Sequence, residues 1–267
     1  MSPRSAWTIA LPYLAFFLLP LGWLALTSFW PDAELARPLP SHLTLENHAA
    51  ALSGGGLARA VLNSLLVSGA TAALALALAA PAAFAVARLG VRGGRALLGG
   101  ALAISMFPPI ATAAPLYTAL RAARLLDTLP GLVVPYTSFS VPLALWLLTG
   151  TFRALPVELY RAARVDGCTP LGAFRRVLLP LAAPGLATAG LLVFVFAWNE
   201  LLYAVTFLTS PSRRTVPVAL ALFGGEFRDP FVVLAAASTL ATAPVVAIAV
   251  LFQRRVVAGL TAGAVKG

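Results

Sequence analysis

Six apolar runs of about 20 residues, each long enough to cross the hydrocarbon of a bilayer, divide the chain at 7–29, 59–86, 96–114, 132–149, 184–208 and 231–252. The third and fourth are the least continuous, because Pro108-Pro109 interrupts one and Pro135 and Pro142 the other. Membrane helices tolerate proline where neighbouring helices or water satisfy the freed carbonyls. Such a segment is either a kinked packing helix or a broken helix lining a passage. The first run exceeds the roughly 7–15 apolar residues of a cleavable signal, so it is expected to remain as a span. The pattern predicts an all-α integral membrane protein of about six helices. Residues 1–267 are expected to form a single transmembrane domain, with no long linker or second soluble domain evident in the pattern.

Composition agrees with lipid. Hydrophobic residues make up 60% of the chain and charged residues 10%, against roughly 25% charged in a soluble domain. The formal net charge is +10, which in a soluble protein would suggest nucleic acid. The placement of the charges gives a simpler account. If the N-terminus is cytoplasmic, the inner segments hold 12 basic and 2 acidic residues, and the outer segments 7 and 6. That is the positive-inside asymmetry of membrane proteins. Both termini are then cytoplasmic, in a multi-pass membrane protein. The spans are rich in Ala, Gly and Leu, and small residues let membrane helices approach closely.

One polar island stands between the fourth and fifth spans. Pro156 can start a short helix carrying Leu159, Ala162 and Ala163 on one side, and Asp166-Gly167 is a turn signal. Thr169-Pro170 is a helix start, with a capping hydroxyl followed by proline at the first helical position. The next helix puts Leu171, Phe174 and Leu178 on one face and Arg175 and Arg176 away from it, up to Pro180. Two short helices at an angle, with an Ala-Ala face, suit docking on a partner in water. The alternatives are a surface loop packing on its own bundle and a DNA-reading helix-turn-helix. The membrane spans flanking it within a few residues argue against the last.

The order Ala162-Ala163, Asp166-Gly167, Phe174, Leu179-Pro180 resembles the EAA motif of ABC importer permeases. Other segments are similar to the carbohydrate branch of that family, the relatives of the maltose system. They are Leu45-Glu46-Asn47, Asn63-Ser64, Phe107-Pro108-Pro109, Trp198-Asn199-Glu200 and the tail from Gly259 to Gly267, which marks the smaller six-span subunit. The resemblance implies the type I importer permease fold, with a cytoplasmic coupling loop at 153–182 and a cytoplasmic tail at 253–267. It implies coupling to an ATPase through Glu158, Arg161, Ala162, Ala163, Asp166, Gly167, Phe174 and Pro180. It places binding-protein contact on the outer loop 209–230, with Arg213, Arg214, Gly224 and Gly225. The implied partners are a second permease, two ATPase subunits carrying ATP and Mg, and an extracytoplasmic solute-binding protein. The implied cargo is a sugar or oligosaccharide. A polyol, sugar phosphate, amino acid or peptide is the alternative. One position departs from the motif: Arg161 stands where the family usually has Glu.

Other chemistry is absent from the sequence. Its one lysine, Lys266, follows Val265, so the Gly-Lys-Ser/Thr of a P-loop cannot form and no ATPase or other enzymatic activity is expected. His42 and His48 lack neighbouring ligands at metal spacing and read as surface residues. No metal or cofactor is expected on this chain. Cys168 stands alone, with no histidine in its loop to activate it. An integral-membrane enzyme would need a buried acid, base or metal cluster, and a lone ion-coupled carrier several intramembrane charges. Only Glu200 falls inside a span. Intramembrane acids are functional candidates, and Trp198 and Asn199 beside it could stack on and hydrogen-bond a sugar. The alternative for Glu200 is pairing with a neighbouring helix.

Overall fold

The computed structural model describes residues 3–37, 39–54, 56–226 and 231–264, which are mostly helical, joined by turns and short irregular segments, with no strand among them. The helices are α1 (Pro3–Thr27), α2 (Glu46–Gly54), α3 (Leu57–Arg88), α4 (Gly94–Ser105), α5 (Pro109–Ala122) and α6 (Leu129–Ala154). They continue as α7 (Val157–Val165), α8 (Pro170–Leu181), α9 (Ala183–Trp198), α10 (Leu202–Phe207), α11 (Val216–Glu226) and α12 (Phe231–Ala264). Among the described residues four helices are long and apolar enough to cross a membrane: α1, α3, α6 and α12. The count rises to six if the bent pairs α4–α5 and α8–α9 are each one span.

The prolines act differently in the third and fourth runs. At Pro108-Pro109 the helix breaks by 91°. Pro108 is extended (φ −60°, ψ 122°) and Pro109 opens α5. A residue before proline is driven out of the helical region, and two prolines in sequence do this twice. Pro135 and Pro142 instead lie buried inside an unbroken α6. The fourth run is thus one helix, contrary to the interruption expected. Its packing on α3 restrains it.

That packing follows from small residues. Ala75, Ala79 and Ala83 fall one turn apart on α3 and are fully buried against Ala144, Leu148 and Phe152 of α6. Gly185 of α9 lies so close to α6 that an added Cβ would stand 2.3 Å from Thr151 Cγ2. One end of this core, where α3 and α6 finish, is closed by Phe84, Phe152, Phe174 and Leu178. Helix α1 is the exception. Only 6% of its apolar window is buried within the chain, against 56% for α6.

The fifth run, expected as one helix over 184–208, is not one. Helix α9 stops at Trp198 and the short α10 begins at Leu202. Asn199 ends α9 by turning its side chain back, Nδ2 donating to Val195 O at 2.8 Å. Helix α2 was not anticipated. Asn47 anchors it, Nδ2 donating to Ser28 O (3.0 Å) and Trp30 O (2.8 Å). His48, expected at the surface, is half-buried with its ring centroid 4.5 Å from that of Phe29.

Candidate functional site

The polar island folds as two helices around a tight turn. Thr169 caps α8, its Oγ1 accepting from Gly172 N at 3.1 Å, as the Thr-Pro pair predicts. Gly167 has φ +82°, a left-handed conformation that glycine adopts without steric cost. Arg164 Nη1 closes the turn on Cys168 O at 2.7 Å. Residues 174–178 form a π-helical turn, a feature frequent at functional sites. Phe174 and Leu178, its two ends, are buried, while Leu171 before it stands 52% exposed. Leu171 does not share their face, contrary to the simple helical spacing.

The eight sequence-proposed docking residues divide cleanly. Ala163 and Phe174 are buried and hold the loop to the bundle, Phe174 lying 5.0 Å from Phe84 between ring centroids. Glu158, Arg161, Ala162, Asp166, Gly167 and Pro180 are open or nearly so. Beside them Val165 is 86% exposed. The loop is therefore fixed on its inner side and presents a mixed polar and apolar outer face.

At the opposite end, the structure changes the reading of Glu200. It lies at the break between α9 and α10, not within a continuous span. Its Oε2 accepts from Tyr136 Oη at 2.6 Å. The same carboxylate takes the first amides of α10, from Tyr203 N (3.0 Å) and Ala204 N (3.3 Å). An acid at a helix start satisfies otherwise unpaired N–H groups. The carboxylate offered to sugar hydroxyls is thus engaged by the chain itself. Trp198 is buried and stacked on Phe194 at 5.7 Å, so it presents no open face for a sugar. Asn199 is exposed but bonded to its own helix. A cavity of about 230 Å³ between α3, α9 and α12 is lined by Ala72, Leu76, Gly190 and Phe194. It supplies no polar group for a hydroxylated solute.

The segment after α10, expected on the outer side, is held from two sides. Asp127 accepts from Thr209 N and Ser210 N, both at 3.0 Å, from the Ser210 hydroxyl, and from Arg213 Nη1 at 3.3 Å. The Ser210 hydroxyl and amide lower its carboxyl below the usual range, and Arg213 adds to this. From α3, Asn63 Nδ2 donates to Ser212 O (3.0 Å) and Arg214 O (2.9 Å), and Ser64 Oγ accepts from Val216 N. The loop expected over 209–230 is in its first part a pinned strap. Gly224 and Gly225 lie in helix α11, not in a loop. The rest, 227–230, and Lys266 of the tail fall outside the described residues. Sequence reading missed Tyr136, Tyr203 and Asp127 as site residues. The tyrosines gave no signal beyond being aromatic, and Asp127 counted only as an outer charge.

A family model described as binding-protein-dependent transport system inner membrane component matches residues 75–261, which include the polar loop at 153–182 and the Glu200 break. The chain belongs to this family. This permease component is 44% identical to the trehalose transport system permease protein SugB of Mycobacterium tuberculosis, over 95% of this chain and 94% of that one. It is 40% identical to the sulfoquinovosyl glycerol transport system permease protein SmoH of Agrobacterium fabrum, over 94% and 89%. The trehalose/maltose transport system permease protein MalG of Thermococcus litoralis shares 36% identity over 94% and 92%. A bacterial ABC transporter that imports the acidic polysaccharide alginate has the same fold. Its TM-score is 0.75 at 21% identity, covering 95% of this chain and 97% of that one. The permease is thus a multi-pass membrane component of a transport system.

Proposed function

We propose that this permease is the smaller transmembrane subunit of an ABC importer for a sugar or oligosaccharide. The docking loop carries the proposal: it is anchored by Phe174 under Phe84 and open at Glu158, Arg161, Asp166 and Gly167. In this reading the loop faces the cytoplasm, where arginines concentrate, and meets an ATPase that hydrolyses ATP with Mg. The termini share that side. A second permease completes the passage, and a solute-binding protein delivers cargo to the outer strap. ATP-driven closure of the ATPases moves the docked loops, and the spans rock to expose the site alternately. Trehalose, sulfoquinovosyl glycerol and maltose on the relatives' side motivate a glycoside cargo.

The test is purification of the tagged permease from its native membrane with whatever assembles on it, followed by reconstitution into vesicles. The expected result is co-purification of an ATPase and a second permease. Uptake of a labelled disaccharide should then depend on ATP and on a binding protein. An isolated chain, or uptake driven by an ion gradient without ATP, would overturn the reading. Competition by polyols, sugar phosphates, amino acids and peptides distinguishes the cargo classes.

A further inference from the structure

Arg88 ends α3 at the cytoplasmic side in the reading above, and that reading gives it nothing to do. One end of its guanidinium binds the chain's own backbone. Nη2 donates to Phe152 O at 2.6 Å and to Leu155 O. These are carbonyls of the last turn of α6 and its cap, which have no intrahelical partners, and a cation suits that end of a helix dipole. Pro156 follows at once and starts the docking helix α7. One turn back on α3, Phe84 meets three separate parts of the same region. Its ring lies 6.1 Å from Phe152 of α6, 5.8 Å from Tyr160 of α7 and 5.0 Å from Phe174 of the π-helical turn. Glu158, on the first turn of α7, lies near enough to attract the guanidinium.

We propose that Arg88 is a positioning residue for coupling: it ties the inner end of α3 to the root of the docking loop, so that loop and helix move as one body. The proposal rests on the importer reading and adds to it the part that carries the motion inward. Without the tie, Pro156 is a hinge. The Phe84 contacts are apolar and undirected, and they let the loop swing while the core stays packed. With the tie, displacement of α7 pulls on α3, which packs on α6 along the whole Ala75–Ala83 seam. Arg88 touches neither cargo nor ATPase in this scheme.

The test uses the assembled transporter in vesicles, in a Cys168→Ser background. Spin labels go on Leu89→Cys and Arg175→Cys, both at exposed positions. The expected result is a narrow distance distribution, the same without nucleotide and with ATP bound. A shift of that distance between the two states in the otherwise unaltered protein overturns the proposal, since the loop would then move relative to α3. Arg88→Gln should broaden the distribution and raise the ATP hydrolysed per solute imported by about fivefold or more. Arg88→Lys, which keeps donors for both carbonyls, should restore most of the coupling. Unchanged coupling in an assembled Arg88→Gln transporter also overturns the proposal, and if that variant does not assemble the label distances in the parent decide. Failure of the importer reading itself would appear earlier, as absence of any ATPase on the parent chain.

Discussion

At Gly167 the backbone sits at φ +82° and nothing lies within 4 Å of where a Cβ would be. Strain, not collision, governs a substitution there. Placing an L-residue in that conformation costs roughly 1–2 kcal/mol, and Asn tolerates it best. Gly167→Leu should therefore distort the turn between α7 and α8 and raise the ATP hydrolysed per solute, with Gly167→Asn close to normal. Equal coupling ratios in the two variants would show that turn geometry is not what matters. Glu200 is a different case. Gln at that position turns one acceptor into a donor facing the amides of Tyr203 and Ala204 and the Tyr136 hydroxyl. Hydrogen bonds to a charged group contribute about 1.5–3 kcal/mol, so Glu200→Gln should lower the thermal midpoint as well as uptake. A raised KM for cargo with an unchanged midpoint would instead assign the carboxylate to the solute.

The elements show what a sequence can and cannot carry. Four spans, the Thr169 cap and the Asp166-Gly167 turn follow from local signals: apolar length, a capping hydroxyl, a glycine. The fate of each proline does not. Pro108-Pro109 breaks its run because its partner is another proline, whereas Pro135 lies buried in α6 between Leu132 and Tyr136, which share a core cluster with Val67 of α3 and Tyr203 of α10. The break at Asn199-Glu200 was equally hidden, because it depends on Tyr136 some 64 residues away. The two breaks are in fact joined: Tyr203 Oη lies 2.6 Å from Thr112 Oγ1 and donates to Pro109 O at 3.1 Å. Close approach is a second long-range property. Gly185→Val should push α9 off Thr151 of α6, an overpacking cost of about 1–3 kcal/mol, read as a lower thermal midpoint of the assembled complex. At the outer strap the relevant quantity is charge. Asp127 has a carboxyl held below its ordinary value by Ser210, so its ionised form is favoured in the folded state. The strap is then fully stabilised above the ordinary carboxylate pKa of about 3.9 and loses that support as pH falls through the lowered value. Asp127→Asn should lessen the fall in thermal midpoint between neutral pH and about pH 3. An identical pH dependence in the variant would show that the strap does not rely on this charge.

On the scale of the molecule, the surfaces left open say where other chains belong. Helix α1 buries almost nothing within the chain, and α12 runs as helix to Ala264, beyond the 231–252 span expected. What covers α1, lipid or another chain, was never in the sequence, because a lone chain encodes its own packing more directly than its surroundings. The outer strap is the most sharply defined of these surfaces. A free loop would meet a binding protein in many geometries and lose entropy in doing so. Here Asn63, Ser64 and Asp127 fix residues 209–216 beforehand, and preorganisation of this kind lowers the cost of docking. Arg213 is bonded to Asp127 yet keeps 46% of its side chain exposed, so it is held in place and still accessible. A photocrosslinker at Arg213 should therefore capture the solute-binding protein in the ATP-bound state. Asn63→Ala, which releases the two strap carbonyls without touching the surface, should cut that capture several-fold while the docking loop still binds its ATPase. Capture that survives Asn63→Ala would mean that the strap needs no fixing. Absence of capture from Arg213 in every state, with capture from other outer positions, would move the docking surface elsewhere on the permease.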